Sequence, residues 1–161
     1  SNYLVAQLVI EAAARISYAD FVQSRILKPL NLSDTFVFGT QRLPQRFAWH
    51  DREDGLRDYY SGTGFGDGGL ISTAQDMARF YHAVFWDGAL MSDTTLSEIL
   101  IDPIGQGYAM GVEVYGNIIG HSGGDFGYSA DIRMNMDTGK VAIVLVAQGD
   151  GDVSWAADQF D

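Results

Sequence analysis

The sequence predicts an α+β fold, an antiparallel β-sheet meander packed with helices. Three observations predict it. Before residue 107 the clearest apolar patterns recur at helical spacing, from Gly107 the period becomes two, and short glycine-bearing turns separate the period-two segments. Helices first and antiparallel strands afterwards is the order of an α+β layer.

Each element has its own signal. Tyr3, Leu4, Ala6, Leu8, Val9 and Ile10 are apolar, and Glu11-Ala12-Ala13-Ala14-Arg15 has strong helix propensity. This first helix is apolar nearly all round, so it is expected to be buried. Ser17-Tyr18-Ala19-Asp20 resembles a capping box opening a second helix, which carries Phe21, Val22, Ile26 and Leu27 and ends at Pro29. Residues 31–68 lack sustained periodicity and end in the glycine-rich run 61–69, which predicts a long, ordered loop of a kind that is usually functional. Thr73 and Asp76 form a second capping box, and Met77, Phe80, Tyr81, Val84 and Phe85 make the stripe of a helix stopped by Gly88. A short helix follows from Asp93 to Leu100, ended by Asp102-Pro103. Tyr108–Tyr115 reads as a strand, Gly116-Asn117 as a turn, Ile118 onward as the second strand and Tyr128–Met136 as the third. Asp137-Thr138-Gly139-Lys140 predicts a hairpin turn with glycine in a left-handed position. Val141–Ala147 is apolar on both faces, which predicts a central strand. Residues 153–161 read as the start of a helix.

Composition bounds the function. With 47% hydrophobic and 19% charged residues the chain is not disordered. Its 21 acidic against 10 basic residues give a net charge of -11, which argues against nucleic acid and anionic membrane surfaces as partners. No cysteine is present, so a disulfide scaffold and a thiolate zinc site are both excluded, while the compartment stays open. No apolar run reaches the ~18 residues of a membrane span. No cluster of His, Asp and Glu has metal-ligand spacing, and no cofactor is expected; Asp150-Gly151-Asp152 reads as a solvated turn. The sequence does not begin with Met. It is expected to be a fragment of a longer protein, or to carry Ser1-Asn2 as a tag remnant.

The sharpest string is Gly120-His121-Ser122-Gly123-Gly124. It matches G-x-S-x-G, but a nucleophile elbow needs a helix after the serine and a histidine later in the chain. Here a strand follows, and His50 and His82 both lie upstream. A simpler reading makes Gly123 and Gly124 a bulge and His121 a histidine satisfied within a strand.

A His-Ser-Gly on a strand, followed by glycine and an antiparallel return, resembles the third motif of the serine β-lactamase and penicillin-binding-protein family. There it is Lys-Thr-Gly, with His-x-Gly as a variant among class C-like members and esterases. The segment from Gly68 through Phe80 is similar to the family's G-G-L-x-S-T-A-x-D-L-x-R-F, and Leu27–Thr35 to its PLGM-x-x-T. Asn2–Glu11 resembles the helix after the family's Tyr-x-Asn motif. Four segments in order cover nearly the whole chain.

The resemblance implies a partial β-lactamase/transpeptidase-like fold: one C-terminal portion over 1–161, with helices and a glycine-rich loop in 1–106, strands in 107–148 and the start of a terminal helix in 153–161. It implies a serine hydrolase acting by acyl transfer on an ester, amide or D-amino-acid peptide. No S-x-x-K occurs in the sequence, and the Tyr-x-Asn motif is expected just before residue 1, so the chain alone is expected to be inactive. By the resemblance, Gly124 N–H is one of two oxyanion donors and His121 replaces the family's lysine, while Ser122 and Gly123 meet the substrate. A histidine is a weaker anchor than lysine for a carboxylate, so a neutral ester or amide fits better than a β-lactam. Trp49, Tyr59, Tyr60 and Phe65 could line an acyl pocket or simply pack. The alternative is a binding or structural domain that keeps the fold without a nucleophile. The partners implied are a small substrate and, through apolar surface left uncovered, a second copy of the fragment. Localisation stays open, since the family has both exported and cytoplasmic members.

Overall fold

A computed structural model describes residues 2–37, 48, 66–125, 127–148 and 151–160. They group into two compact units, one running to Asp76 and one from Met77 onward.

In the first unit, α1 (Asn2–Ala14) packs on α2 (Tyr18–Val22), which continues as one π-helical turn over Gln23–Leu27. Ser17 caps α2 as the sequence predicts: its Oγ accepts the Asp20 N–H at 3.1 Å and donates to Asp20 Oδ2 at 2.7 Å. Glu11 ties the two helices by accepting the Tyr18 N–H at 2.8 Å. Val22, Leu27, Leu32 and Val37 are buried. The expected burial of α1 is not found. None of its residues is buried, and Val5, Leu8 and Val9 are 59%, 63% and 61% exposed. A helix apolar all round needs neighbours all round, and within its unit α2 covers only part of it.

Two short strands that no periodicity could announce, β1 (Phe36–Val37) and β2 (Leu70–Ile71), pair antiparallel. Asp76, near the start of α3 (Ala74–Tyr81), lies under them with no exposed surface. Its carboxylate accepts the Asp34 N–H and the Thr35 hydroxyl, each at 2.9 Å, and its own N–H donates to Thr73 Oγ1 at 3.2 Å. The Thr73 cap thus holds the buried carboxylate's own backbone. Most of the predicted loop, with Trp49, Tyr59, Tyr60 and Phe65, lies outside the described residues.

In the second unit α3 runs on into a π-helical turn over His82–Trp86, and α4 (Asp93–Ile99) begins where Ser92 Oγ accepts the Thr95 N–H at 3.2 Å. The sheet has the order β3-β4-β5-β6, from β3 (Glu113–Tyr115), β4 (Ile118–Asp125), β5 (Tyr128–Asn135) and β6 (Val141–Val146). All neighbours are antiparallel, and α5 (Trp155–Asp158) packs on β5 and β6. Ile119, Ile132 and Met134 are buried on one face of the sheet, Ala142, paired with Arg133, is buried on the other, and Ala156 of α5 is buried as well. Among the described residues no helix is long and apolar enough to cross a membrane.

Two strand expectations are corrected. The segment Tyr108–Val112 is not strand: Gly107 and Gly111 both sit at φ +78°, and Tyr108 touches the sheet only through an isolated bridge to Glu113. Left-handed glycines at both ends turn what alternation alone would extend. The predicted central strand, β6, is at the edge of the described sheet, and Leu145 is 40% exposed. Among the described residues it has one strand neighbour, β5, and α5 packs on part of it.

Gly120 is required for the β4–β5 contact: a Cβ there would stand 2.0 Å from Ile132 O. Two stability outcomes are expected in urea titrations. Asp76→Ala should cost about 2–4 kcal/mol, because the buried Thr35 hydroxyl and the partly buried Asp34 N–H lose their acceptor, with Asp76→Asn costing less. Gly120→Ala should cost about 1–3 kcal/mol or more, because backbone must move to admit the methyl group.

Candidate functional site

The predicted string lies on β4. Pairing with β5 is unbroken across it: His121 faces Ile132, Ser122 faces Asp131, Gly123 faces Ala130 and Gly124 faces Ser129. The bulge reading therefore gives no account of the two glycines. Packing gives none either: a Cβ at Gly123 would meet open space, and at Gly124 nothing nearer than Tyr128 O at 4.0 Å. Neither requires a left-handed backbone.

β3 stops opposing β4 at the Glu113–Gly120 pair, so β4 runs on past its neighbour. The Ser122 N–H points to that uncovered side, where Glu113 Oε1 accepts it at 3.1 Å in place of a backbone carbonyl. Strand alternation turns the Gly124 N–H to the same side. Ser122, Gly123 and Gly124 are exposed there.

His121 is half-buried, with both ring nitrogens engaged. Nδ1 lies 2.5 Å from the Ser122 carbonyl and Nε2 2.9 Å from the Tyr108 hydroxyl. A carbonyl only accepts, so Nδ1 carries the proton in the neutral ring and Nε2 accepts from Tyr108. The loop between Gly107 and Gly111 brings Tyr108 here, fixed by Ala109 N–H to Val112 O at 2.8 Å and Val114 N–H to Gly107 O at 2.9 Å.

Under the exposed strand lies a charged cluster. Glu113 Oε1 also accepts the Ser122 hydroxyl at 2.9 Å, and Glu113 Oε2 takes Arg133 at 2.5 Å. The other arm of Arg133 lies 2.8 Å from Asp131 Oδ1, a close ion pair off the line of a good hydrogen bond. The side chains of Glu113, Arg133 and Asp131 are 14%, 10% and 5% exposed. Arg133 also stands 5.8 Å from the Tyr115 ring centre.

The electrostatics differ along the cluster. Desolvation pushes Glu113 up, but the Ser122 and Arg133 hydrogen bonds outweigh it and hold its carboxyl below the ordinary value. Desolvation pushes Asp131 up, and Arg133 only partly offsets it. Burial would lower Arg133, but the two carboxylates keep it firmly protonated. Burial also pushes the Tyr81 phenol up, so it stays neutral beside these charges.

Of the sequence-predicted residues, His121, Ser122, Gly123 and Gly124 share one strand and one open edge. Tyr108, Glu113, Asp131 and Arg133 escaped prediction. A signal existed: Asp131 and Arg133 are opposite charges two apart, so on one face of a largely apolar strand, where charges survive only when paired.

Comparison with known proteins gives these likenesses. The beta-lactamase family model matches residues 1–159. Penicillin-binding protein 4* of Bacillus subtilis is 26% identical over 90% of this chain and 38% of its own length. The D-amino acid amidase of Ochrobactrum anthropi SV3, in complex with L-phenylalanine amide, is 26% identical, with a TM-score of 0.66 over 91% of this chain and 48% of that one. A penicillin-binding protein from Bacillus halodurans is 21% identical, with a TM-score of 0.82 over 99% of this chain and 54% of its own. The octameric penicillin-binding protein homologue of Pyrococcus abyssi is also 21% identical, with a TM-score of 0.77 over 96% of this chain and 39% of its own. The chain spans about half the length of these proteins, or less.

The signs of the pKa shifts fix a pH dependence. Glu113 is depressed in the fold, so its stabilising contribution is present above its ordinary value of 4.5 and lost as pH falls through the folded value. Asp131 is raised and works the opposite way. Unfolding free energy measured from about pH 6 to about pH 3 should therefore fall less steeply in Glu113→Gln than in the wild type.

Proposed function

This chain belongs to the beta-lactamase family, and from that premise we propose that it is the C-terminal part of a serine hydrolase. The reaction is acyl transfer to a serine, then to water, on an ester, an amide or a D-amino-acid peptide. The observation that carries this reading is the uncovered edge of β4, where two glycines required neither by packing nor by conformation leave room beside an outward N–H.

In this reading the Gly124 N–H is one oxyanion donor and the nucleophile supplies the other. The nucleophile and its lysine come from a segment outside these 161 residues, since no S-x-x-K occurs within them. His121, held in one tautomer by the Ser122 carbonyl, orients the Tyr108 hydroxyl at the rim of the site. Gly123 and Ser122 border the acyl group. The whole of residues 1–161 acts as one portion of the catalytic domain. The likeness to an amidase supports an amide substrate.

Two measurements test the proposal. The chain alone should release no product from D-amino-acid amides or p-nitrophenyl esters, whereas the full-length protein should turn them over. Inactivity of the full-length protein on every such substrate would favour the non-catalytic domain instead. Gly124→Pro removes the outward N–H without touching a β5 hydrogen bond, and should lower kcat by about 10²–10³ with the fold retained.

The exposed Val5, Leu8 and Val9 of α1 support self-association of the isolated chain. Light scattering should show a concentration-dependent rise in mass that Leu8→Lys abolishes; a monomer at all concentrations would refute it.

A further inference from the structure

Ser122 is exposed, yet its hydroxyl proton is already committed. A carboxylate only accepts, so the 2.9 Å contact with Glu113 Oε1 makes Ser122 Oγ the donor. The backbone N–H of Ser122 goes to the same oxygen. What the hydroxyl turns outward is its remaining acceptor capacity.

The charge behind it has the same sense. Glu113 and Asp131 are two carboxylates against one guanidinium. Among the described residues Arg133 is the cation recorded in this cluster, and both its arms are turned onto those carboxylates. Its remaining donor, the Nε–H, is unpaired but buried, so no accessible part of the guanidinium faces an anionic ligand. Both ring nitrogens of His121 are likewise taken, by Tyr108 and the Ser122 carbonyl.

We infer that this edge selects a hydrogen-bond donor, with Ser122 Oγ accepting from a substrate ammonium or amide N–H and Glu113 supplying the negative charge that favours a cation. The ligand class is a small amino-acid amide or ester with a free amino group, in preference to one carrying a carboxylate at that place. Glu113 is the specificity-determining residue. Arg133 and Asp131 are positioning residues that hold Glu113 in register with Ser122. The inference rests on the acyl-transfer reading for which bond is cleaved, but not for which ligand binds.

Two probes differ at one end only: phenylalaninamide, a cation, and N-succinylphenylalaninamide, an anion, each as both enantiomers. Calorimetry with the full-length protein should show the cation binding at least about tenfold more tightly. Glu113→Gln should bring the two within about threefold. Ser122→Ala, which leaves the Glu113–Arg133 pair intact, should weaken the cation and leave the anion unchanged. Added salt should reduce the preference in the wild type. Equal or tighter binding of the anion, no binding of either probe, or a preference that survives both substitutions in folded protein would overturn the inference. Ammonia release from phenylalaninamide is read separately. A charge preference without hydrolysis would remove the acyl-transfer reading alone, and hydrolysis without a preference would remove this one alone.

Discussion

β4 can lie against β5 only because residue 120 has no side chain. The Ile132 carbonyl occupies the space a Cβ would need, and the eight-pair register from Ile118 to Asp125 follows from that approach. The register decides which N–H groups face the uncovered edge. It also sets Asp131 directly across from Ser122, with Arg133 two residues further on under Glu113. A slip of one residue would turn every one of these groups to the opposite face. The chemistry at 121–124 thus depends on a steric contact at the position just before it.

Buried charge beneath that edge is costly unless each group finds its partner. Glu113 meets that demand by doing two things at once. It closes the N–H left over where β3 ends, and it neutralises the guanidinium that Asp131 alone could not satisfy. The opposite pKa directions of the two carboxylates follow from this division. Glu113 is wrapped by donors that outweigh its desolvation, whereas the desolvation of Asp131 outweighs what Arg133 and the Ile132 N–H return. Ser122 is thereby held by the sheet on one side and by a carboxylate on the other.

Much of the fold was legible because it rests on local chemistry. Ser17 and Thr73 announce their helices, Gly116-Asn117 and Gly139 announce their turns, and Tyr128–Asn135 alternates as a strand should. The errors arise where a residue's surroundings, not its neighbours in sequence, decide. α1 looks like a buried helix and is not, because burial depends on what packs against it. β6 looks central and lies at the edge of the described sheet, with α5 packed on part of it. The site was half legible. The string at 120–124 is local, while Glu113 and Arg133 are 20 residues apart and meet only through the register of three strands. Tyr108 alternates with its neighbours as a strand residue would, but the left-handed backbone at Gly107 and Gly111 turns its segment out of the ladder.

The three glycines of this strand would leave different marks in a population of variants. At position 120 any side chain is excluded by the main chain opposite, so losses there would be seen as protein that fails to accumulate. At 123 and 124 a methyl group has somewhere to go, so variants there would accumulate normally, and under the proposed function they would betray themselves only by lost activity. A survey comparing abundance with activity, residue by residue along β4, would separate the architecture of the strand from its purpose.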